Sequence, residues 1–258
     1  MQIGIFAANL LMETRESIRT AARLGADGVQ LWNSSGDLTP WELGKTARAD
    51  LLEFIKSNGL VVSALCGDFG HGFTDPATVE EMIVKTKQVV EMAPDLETNI
   101  ITTHIGVIPE DPKDKAWRTM EEALEGLGGY AEDLGCVLAT ETGPEEPELM
   151  ERFLSTLKTG AIAINYDPAN LAMNGYDPIE GVEILAGYIV HTHAKDGIRR
   201  PDGKGEEKPL GEGAVGIPEY IATLRKIGYD GFVTIERETG QDPEGDIGKA
   251  VQYLRGLI

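Results

Sequence analysis

The chain repeats one pattern. A short apolar run gives way to a polar or glycine-rich loop, then to a stretch whose apolar positions recur every three to four residues, then to glycine and the next apolar run. Apolar runs bounded by turn residues predict strands, and the 3.6-residue period predicts amphipathic helices. Strands are expected near 2–7, 28–32, 61–67, 99–106, 136–143, 161–167, 188–196 and 231–238. Helices are expected over 14–25, 41–59, 78–93, 117–135, 147–160, 178–187, 217–228 and 246–258, several closing on a glycine cap. Strand and helix alternating in this way over residues 1–258 predict a single-domain (β/α)8 TIM barrel. A doubly wound open sheet is the main competitor, but no GxGxxG or P-loop follows the first strand.

The longest irregular segment, "DGIRRPDGKGEEKPLGEGAVG" (196–216), follows the seventh strand. In a barrel the loops after the strands build the active face, so this segment is expected to act as a lid or binding loop. Its glycine-rich end, "LGEGAVG" (210–216), could aim backbone amides at a phosphate or serve as a flexible lid.

Charge narrows the partners. With 23 basic and 43 acidic residues the net charge is −20, which opposes binding to nucleic acid or an anionic membrane. No apolar run is long enough to span a bilayer, and "MQIGIFAANL" lacks the basic start of a signal peptide. Cys66 and Cys136 lie in apolar, strand-like runs and read as small buried hydrophobes in a reducing compartment. The expected location is the cytoplasm; a homo-oligomer is compatible with the sequence but is not fixed by it.

Candidate chemistry concentrates at four consecutive strand ends: Glu141 in "ATETG", Asp167 in "NYDPAN", His193 in "HTHAKD" and Glu236 in "TIERE". Barrel strand ends ring one cavity, so these four side chains are expected to meet. Two positions earlier on the same faces stand Ala139, Asn165, His191 and Thr234, one layer deeper. His191 is then barrel filling and His193 a ligand. Three carboxylates with one imidazole make an oxygen-rich site suited to one divalent cation, Mn²⁺ or Mg²⁺ first, with Co²⁺ or Zn²⁺ also accommodated.

Over essentially its whole length, and most specifically from "CVLATETG" to "IERETG", the sequence resembles the sugar phosphate isomerase/epimerase group of the xylose isomerase-like TIM barrels. That group includes ketose 3-epimerases and hydroxypyruvate isomerase. The resemblance implies that Glu141, Asp167, His193 and Glu236 bind the cation, with the two glutamates also forming the acid/base pair. It further implies that Arg199, six residues after the ligand histidine, contacts substrate oxygens. The family's epimerases carry histidine three residues after the ligand aspartate; Asn170 stands at that position here.

The chemistry is coherent on physical grounds. When a carbonyl and its neighbouring hydroxyl are held by a divalent cation, the C–H between them is acidified and an enediolate is stabilised. One carboxylate removes the proton and a protonated one returns it. Return to the opposite face of the same carbon is epimerisation, and return to the adjacent carbon is aldose–ketose isomerisation. Loss of a β-hydroxyl is dehydration, a reaction of the superfamily's inosose dehydratases.

Further candidates for substrate contact are His104 ("TTHIG"), His71 ("DFGHGF"), Trp32 as an apolar wall, and Lys195, which shares the facing of His193 and can pair with Glu236. Trp117 is either wall or packing, while Arg237 and Glu238 read as ordinary loop charges. The expected function is therefore a metal-dependent sugar or keto-sugar epimerase/isomerase, with a dehydratase of an oxidised sugar or inositol as the alternative. A non-catalytic sugar-binding barrel would not need two opposed carboxylates. A nuclease is opposed by the negative charge, by Asn170 and by the lack of a DxH pair.

Overall fold

The structure is a computed structural model that describes all 258 residues. Strands β1 (Gln2–Phe6), β2 (Gly28–Trp32), β3 (Val61–Cys66), β4 (Ile100–Thr103), β5 (Val137–Glu141), β6 (Ile162–Tyr166) and β7 (Ile189–Ala194) run parallel around a barrel. An antiparallel hairpin, β8 (Asp196–Arg199) and β9 (Gly205–Lys208), follows β7. Strand β10 (Phe232–Ile235) then closes the barrel by pairing with β1 from Gln2↔Phe232 to Ile5↔Ile235. The expected (β/α)8 TIM barrel is the observed fold.

Helices α1 (Thr14–Leu24), α2 (Lys45–Ser57), α3 (Val79–Met92), α4 (Lys115–Asp133) and α5 (Pro147–Leu154) surround the first half of the barrel. The second half carries α6 (Pro168–Asn174), α7 (Pro178–Ile184), α8 (Ile217–Lys226) and α9 (Pro243–Arg255). Each turns an apolar stripe inward; in α1 the stripe includes Ile18 and Ala21, both fully buried. The chain leaves α1 through Gly25 at φ 92°, a left-handed cap that favours glycine. Trp117 of α4 is buried and meets Phe153 of α5 edge to face at 4.9 Å, so this tryptophan is packing and not a substrate wall.

Helix α6 was not foreseen. Its seven residues are too short to show a period, and the sequence pattern marks Asp167 only as a strand end. Asp167 is also the N-cap, accepting hydrogen bonds from the amides of Ala169 (2.8 Å) and Asn170 (3.0 Å), with Pro168 as the first helical residue. Helix α2 begins at Lys45, because the preceding "WELG" forms turns. Helix α5 starts at Pro147 as expected but ends at Leu154, short of the expected residue 160.

Segment 196–216 is ordered by internal bonds. The Asp196 carboxylate is buried and accepts from the amides of Gly197 (2.9 Å), Gly211 (3.0 Å), Gly213 (3.0 Å) and Val215 (3.1 Å). A Cβ on Gly213 would lie 2.0 Å from Asp196 Oδ1, so only glycine lets the loop close around that carboxylate. The amides that looked free to cradle a phosphate, or to line a flexible lid, are occupied by the protein's own anion.

Arg237 is not a loop charge either. It is buried and donates to Glu207 (2.8 Å) and Asp246 (3.0 Å). No helix of the chain is long and apolar enough to cross a membrane. Cys66 and Cys136 are free and buried, and burial pushes both thiols up from their usual range.

Candidate functional site

The four strand-end residues converge. Ligand atoms of Glu141 (end of β5), Asp167 (after β6), His193 (in β7) and Glu236 (after β10) all lie within 4.8 Å of one another. Asp167, His193 and Glu236 are buried and Glu141 nearly so. His193 Nδ1 faces Glu236 Oε2 at 3.3 Å, Asp167 Oδ2 at 3.6 Å and Glu141 Oε2 at 3.8 Å. Both His193 Nδ1 and Asp167 Oδ2 are buried without a hydrogen-bond partner. Buried polar atoms are seldom left unpaired, and here two of them point at one spot ringed by carboxylates. The donor set fits a divalent cation.

The barrel interior fixes how His193 presents itself. Gln30 Nε2 on β2 donates to Thr102 Oγ1 at 2.9 Å, which turns Gln30 Oε1 toward His193 Nε2 at 3.0 Å. An amide oxygen only accepts, and this contact is shorter than that of Asn165 Nδ2 on the same nitrogen (3.3 Å), so Nε2 carries the hydrogen and the Nδ1 lone pair is left for the cavity. One layer deeper, His191 Nδ1 lies 2.8 Å from Asn165 Oδ1 and its Nε2 3.0 Å from Thr234 Oγ1. Burial holds His191 well below its usual pKa, as expected of barrel filling.

The two glutamates differ in environment. Burial pushes Glu141 up to about 7, aided by the negative charges of Glu236 and Asp167 and opposed by His193 and His104. Glu236 is equally buried, yet His193 and the Lys195 ammonium 2.7 Å from Oε2 hold it well below the carboxylate range. His193 is itself raised well above its usual value despite burial, because Glu236 and Glu141 face it. The cavity therefore favours positive charge at its centre, and a proton on Nδ1 and a cation compete for the same place.

Around this centre, Asn170 Nδ2 of α6 donates to Glu141 Oε1 and to the Thr142 carbonyl, each at 3.0 Å. His104, just beyond β4, places Nδ1 2.9 Å from Asp68 Oδ2 and Nε2 3.7 Å from Glu141 Oε1. The charge of Glu141 and the Asp68 hydrogen bond outweigh burial and raise His104 to about 9. Lys195 is buried and bonds Glu236 and Glu238, with Asp167 Oδ2 at 3.7 Å. Glu238 is thus the outer partner of a buried lysine and no free loop charge.

The remaining expected residues stand further out. Trp32 packs on Phe6 (6.0 Å between ring centroids), and Phe6 lies 6.2 Å from His193, so an aromatic wall leads to the centre. Arg199, on β8, is exposed and donates to the Asn174 carbonyl at the end of α6. His71 is exposed on the loop after β3. Sequence reasoning passed over Gln30, Asp68 and Phe6. Each follows or occupies an apolar strand, and only the barrel's closure shows that Gln30 and Phe6 point at His193.

Comparison with known proteins agrees with this architecture. A protein of Methanocaldococcus jannaschii is 27% identical over 189 residues, 65% of this chain and 62% of that protein. An inosose dehydratase of Lacticaseibacillus casei is 24% identical over 149 residues, 50% of this chain and 49% of its own length. The matches thus span about half to three-fifths of these relatives. A xylose isomerase domain protein from Planctomyces limnophilus superposes with a TM-score of 0.87 at 26% identity, covering 99% of this chain and 96% of the other. A D-psicose 3-epimerase from Clostridium cellulolyticum H10 shares the fold, with a TM-score of 0.80 at 16% identity over 100% and 99% of the two chains. The model of one family, described as xylose isomerase-like TIM barrel, matches residues 18–257, and the chain belongs to that family.

Proposed function

We propose that the protein is a divalent-metal-dependent epimerase or isomerase of a sugar or keto-sugar, located in the cytoplasm, that works by proton transfer through an enediolate. One observation carries this reading. Asp167 Oδ2 and His193 Nδ1 are buried, unpartnered and aimed at the point that Glu141 and Glu236 also reach. Those four residues would hold the cation, with Mn²⁺ or Mg²⁺ suited to three carboxylates and one imidazole. When bound, it would polarise the substrate carbonyl and acidify the adjacent C–H.

The chain's own groups supply the rest. Glu236, paired with the Lys195 ammonium at 2.7 Å, takes the proton on one side, and Glu141, faced by His104 and Asn170, returns one on the other. His104, oriented by Asp68, offers an N–H beside Glu141 to a substrate oxygen. Trp32 and Phe6 give a sugar an apolar wall, while Arg199, His71 and Lys195 are assigned to its hydroxyls or to holding the groups that meet them.

A second reading has a specific basis. The chain matches inosose dehydratases across half its length, and Asn170 stands against Glu141 where the resembled epimerases carry histidine. In that case the same proton abstraction is followed by loss of a β-hydroxyl. The deciding experiment incubates Mn²⁺-loaded protein with panels of ketoses, hydroxyaldehydes and inososes, separates products from substrate by chromatography and weighs each by mass spectrometry. Products of unchanged mass support the epimerase or isomerase, and loss of one water supports the dehydratase. Failure of every compound to turn over would remove the catalytic reading.

A further inference from the structure

Glu207 lies far from the four convergent residues in sequence and contacts none of them, yet its side chain is only 5% exposed. Oε1 accepts from Arg237 Nη1 (2.8 Å) and from the amide of Glu238 (3.2 Å), and Oε2 accepts from the amide of Thr239 (3.0 Å). One carboxylate thus receives three donors from the segment immediately following Glu236. Arg237 is pinned a second time by Asp246 of α9, and its amide donates to Asn9 Oδ1 at 3.1 Å.

The hairpin that presents Glu207 is itself anchored. Glu207 pairs with Gly197 across β8 and β9, one residue from the Asp196 latch that ties the start of the hairpin to residues 211–215. On its other face Met173 of α6 packs against the backbone of Gly197 and Gly205, where a Cβ would approach it to 2.9 Å and 2.8 Å. The hairpin therefore touches α6, which Asp167 caps, continues from β7, which carries His193, and grips the segment after β10, which carries Glu236.

From this geometry we infer that Glu207 is a positioning residue for the metal centre. It clamps residues 237–239 so that Glu236 turns into the cavity while Glu238 stays on Lys195. A segment held to one buried carboxylate by two backbone amides and one guanidinium has few alternatives, and partners behind metal ligands typically govern affinity by about 10- to 100-fold. Arg200 and Asp202 at the hairpin tip bond each other and play no part in this clamp.

This inference rests on the metal reading above, so its test begins with wild-type protein, whose Mn²⁺ affinity is measured by titration calorimetry. Absence of Mn²⁺ binding by the wild type would overturn the metal reading itself and the clamp with it. Given wild-type binding, Glu207→Ala is expected to weaken Mn²⁺ by about tenfold or more. Hydrogen exchange at the amides of Glu238 and Thr239 should accelerate at least as much, while amides of β3 and β4 keep wild-type protection. Glu207→Gln, which retains acceptor oxygen for an amide but loses the Arg237 charge pair, should recover part of the affinity. Glu206→Ala, on the same strand but bonded only to Lys208, should behave as wild type. Unaltered Mn²⁺ affinity in Glu207→Ala, with faster exchange confined to 238 and 239, would show that Glu207 orders the loop without setting the centre. Uniform loss of protection across the barrel would assign it to global stability instead. Either result overturns the proposal.

Discussion

Gln30 Oε1 stands 3.0 Å from His193 Nε2, and Thr102 fixes that amide so that it can only accept from the ring. The pair determines which nitrogen of His193 faces the three carboxylates. Gln30→Met keeps the bulk but removes the acceptor, so the ring loses its preferred tautomer. Mn²⁺ affinity should fall by about 10- to 100-fold, with the fold retained. Calorimetric titration checks this; unchanged affinity would mean that the ring is oriented by its other neighbours.

Metal content should report the centre directly. Purified protein is expected to bind about one divalent cation per chain, and His193→Ala and Asp167→Asn should each lose most of it. Asparagine is chosen because it still accepts the Ala169 amide and keeps the α6 cap, whereas Asp167→Ala would add roughly 1 kcal/mol of lost capping. Full retention of metal by both variants would place the site elsewhere.

Arg199 should affect substrate and not metal. Arg199→Ala is expected to raise KM severalfold or more while metal content stays near one ion per chain. Because Arg199 also caps the end of α6 through the Asn174 carbonyl, a modest drop in Tm should accompany it. Loss of metal on this substitution would contradict the assignment.

Much of this was legible in the sequence, for identifiable reasons. The four convergent residues end four successive strands, so barrel closure alone brings them together, and period two sets His191 on the same face as His193 but one layer deeper. Gln30, Asp68 and Glu207 were not legible. Their roles depend on the register between β2 and its neighbours, on the turn after β3, and on a hairpin within what read as loop. Polar residues such as these carry no periodic signal. The "LGEGAVG" stretch misled for a related reason: sequence shows that amides can gather, but not that Asp196 already fills the space.

Stability should show a carboxylate dependence at Asp27, where the barrel's first turn meets α9. Its side chain accepts from the Ile3 amide (2.8 Å) and from Arg255 (2.6 Å). Burial raises this carboxyl, but the Arg255 bond and the Ile3 amide outweigh it and leave it below its ordinary 3.8. A depressed carboxylate stabilises the fold above its unfolded pKa, and that contribution is lost as pH falls through the folded value. Asp27→Ala should therefore cost about 1 kcal/mol at neutral pH, and the gap to wild type should narrow below pH 3.8. Urea titrations across that range check it; a gap that widens on acidification would reverse the sign.

The most direct test of the central claim is turnover in D₂O, followed by NMR of product and recovered substrate. If Glu141 and Glu236 exchange a proton at the carbon next to the carbonyl, deuterium should appear at that carbon. Glu236→Gln should retain metal at reduced affinity, while its rate falls by about 10²-fold or more, the usual contribution of a positioned acid or base. Product free of deuterium, with Glu236→Gln near full activity, would contradict proton transfer as the function of these carboxylates.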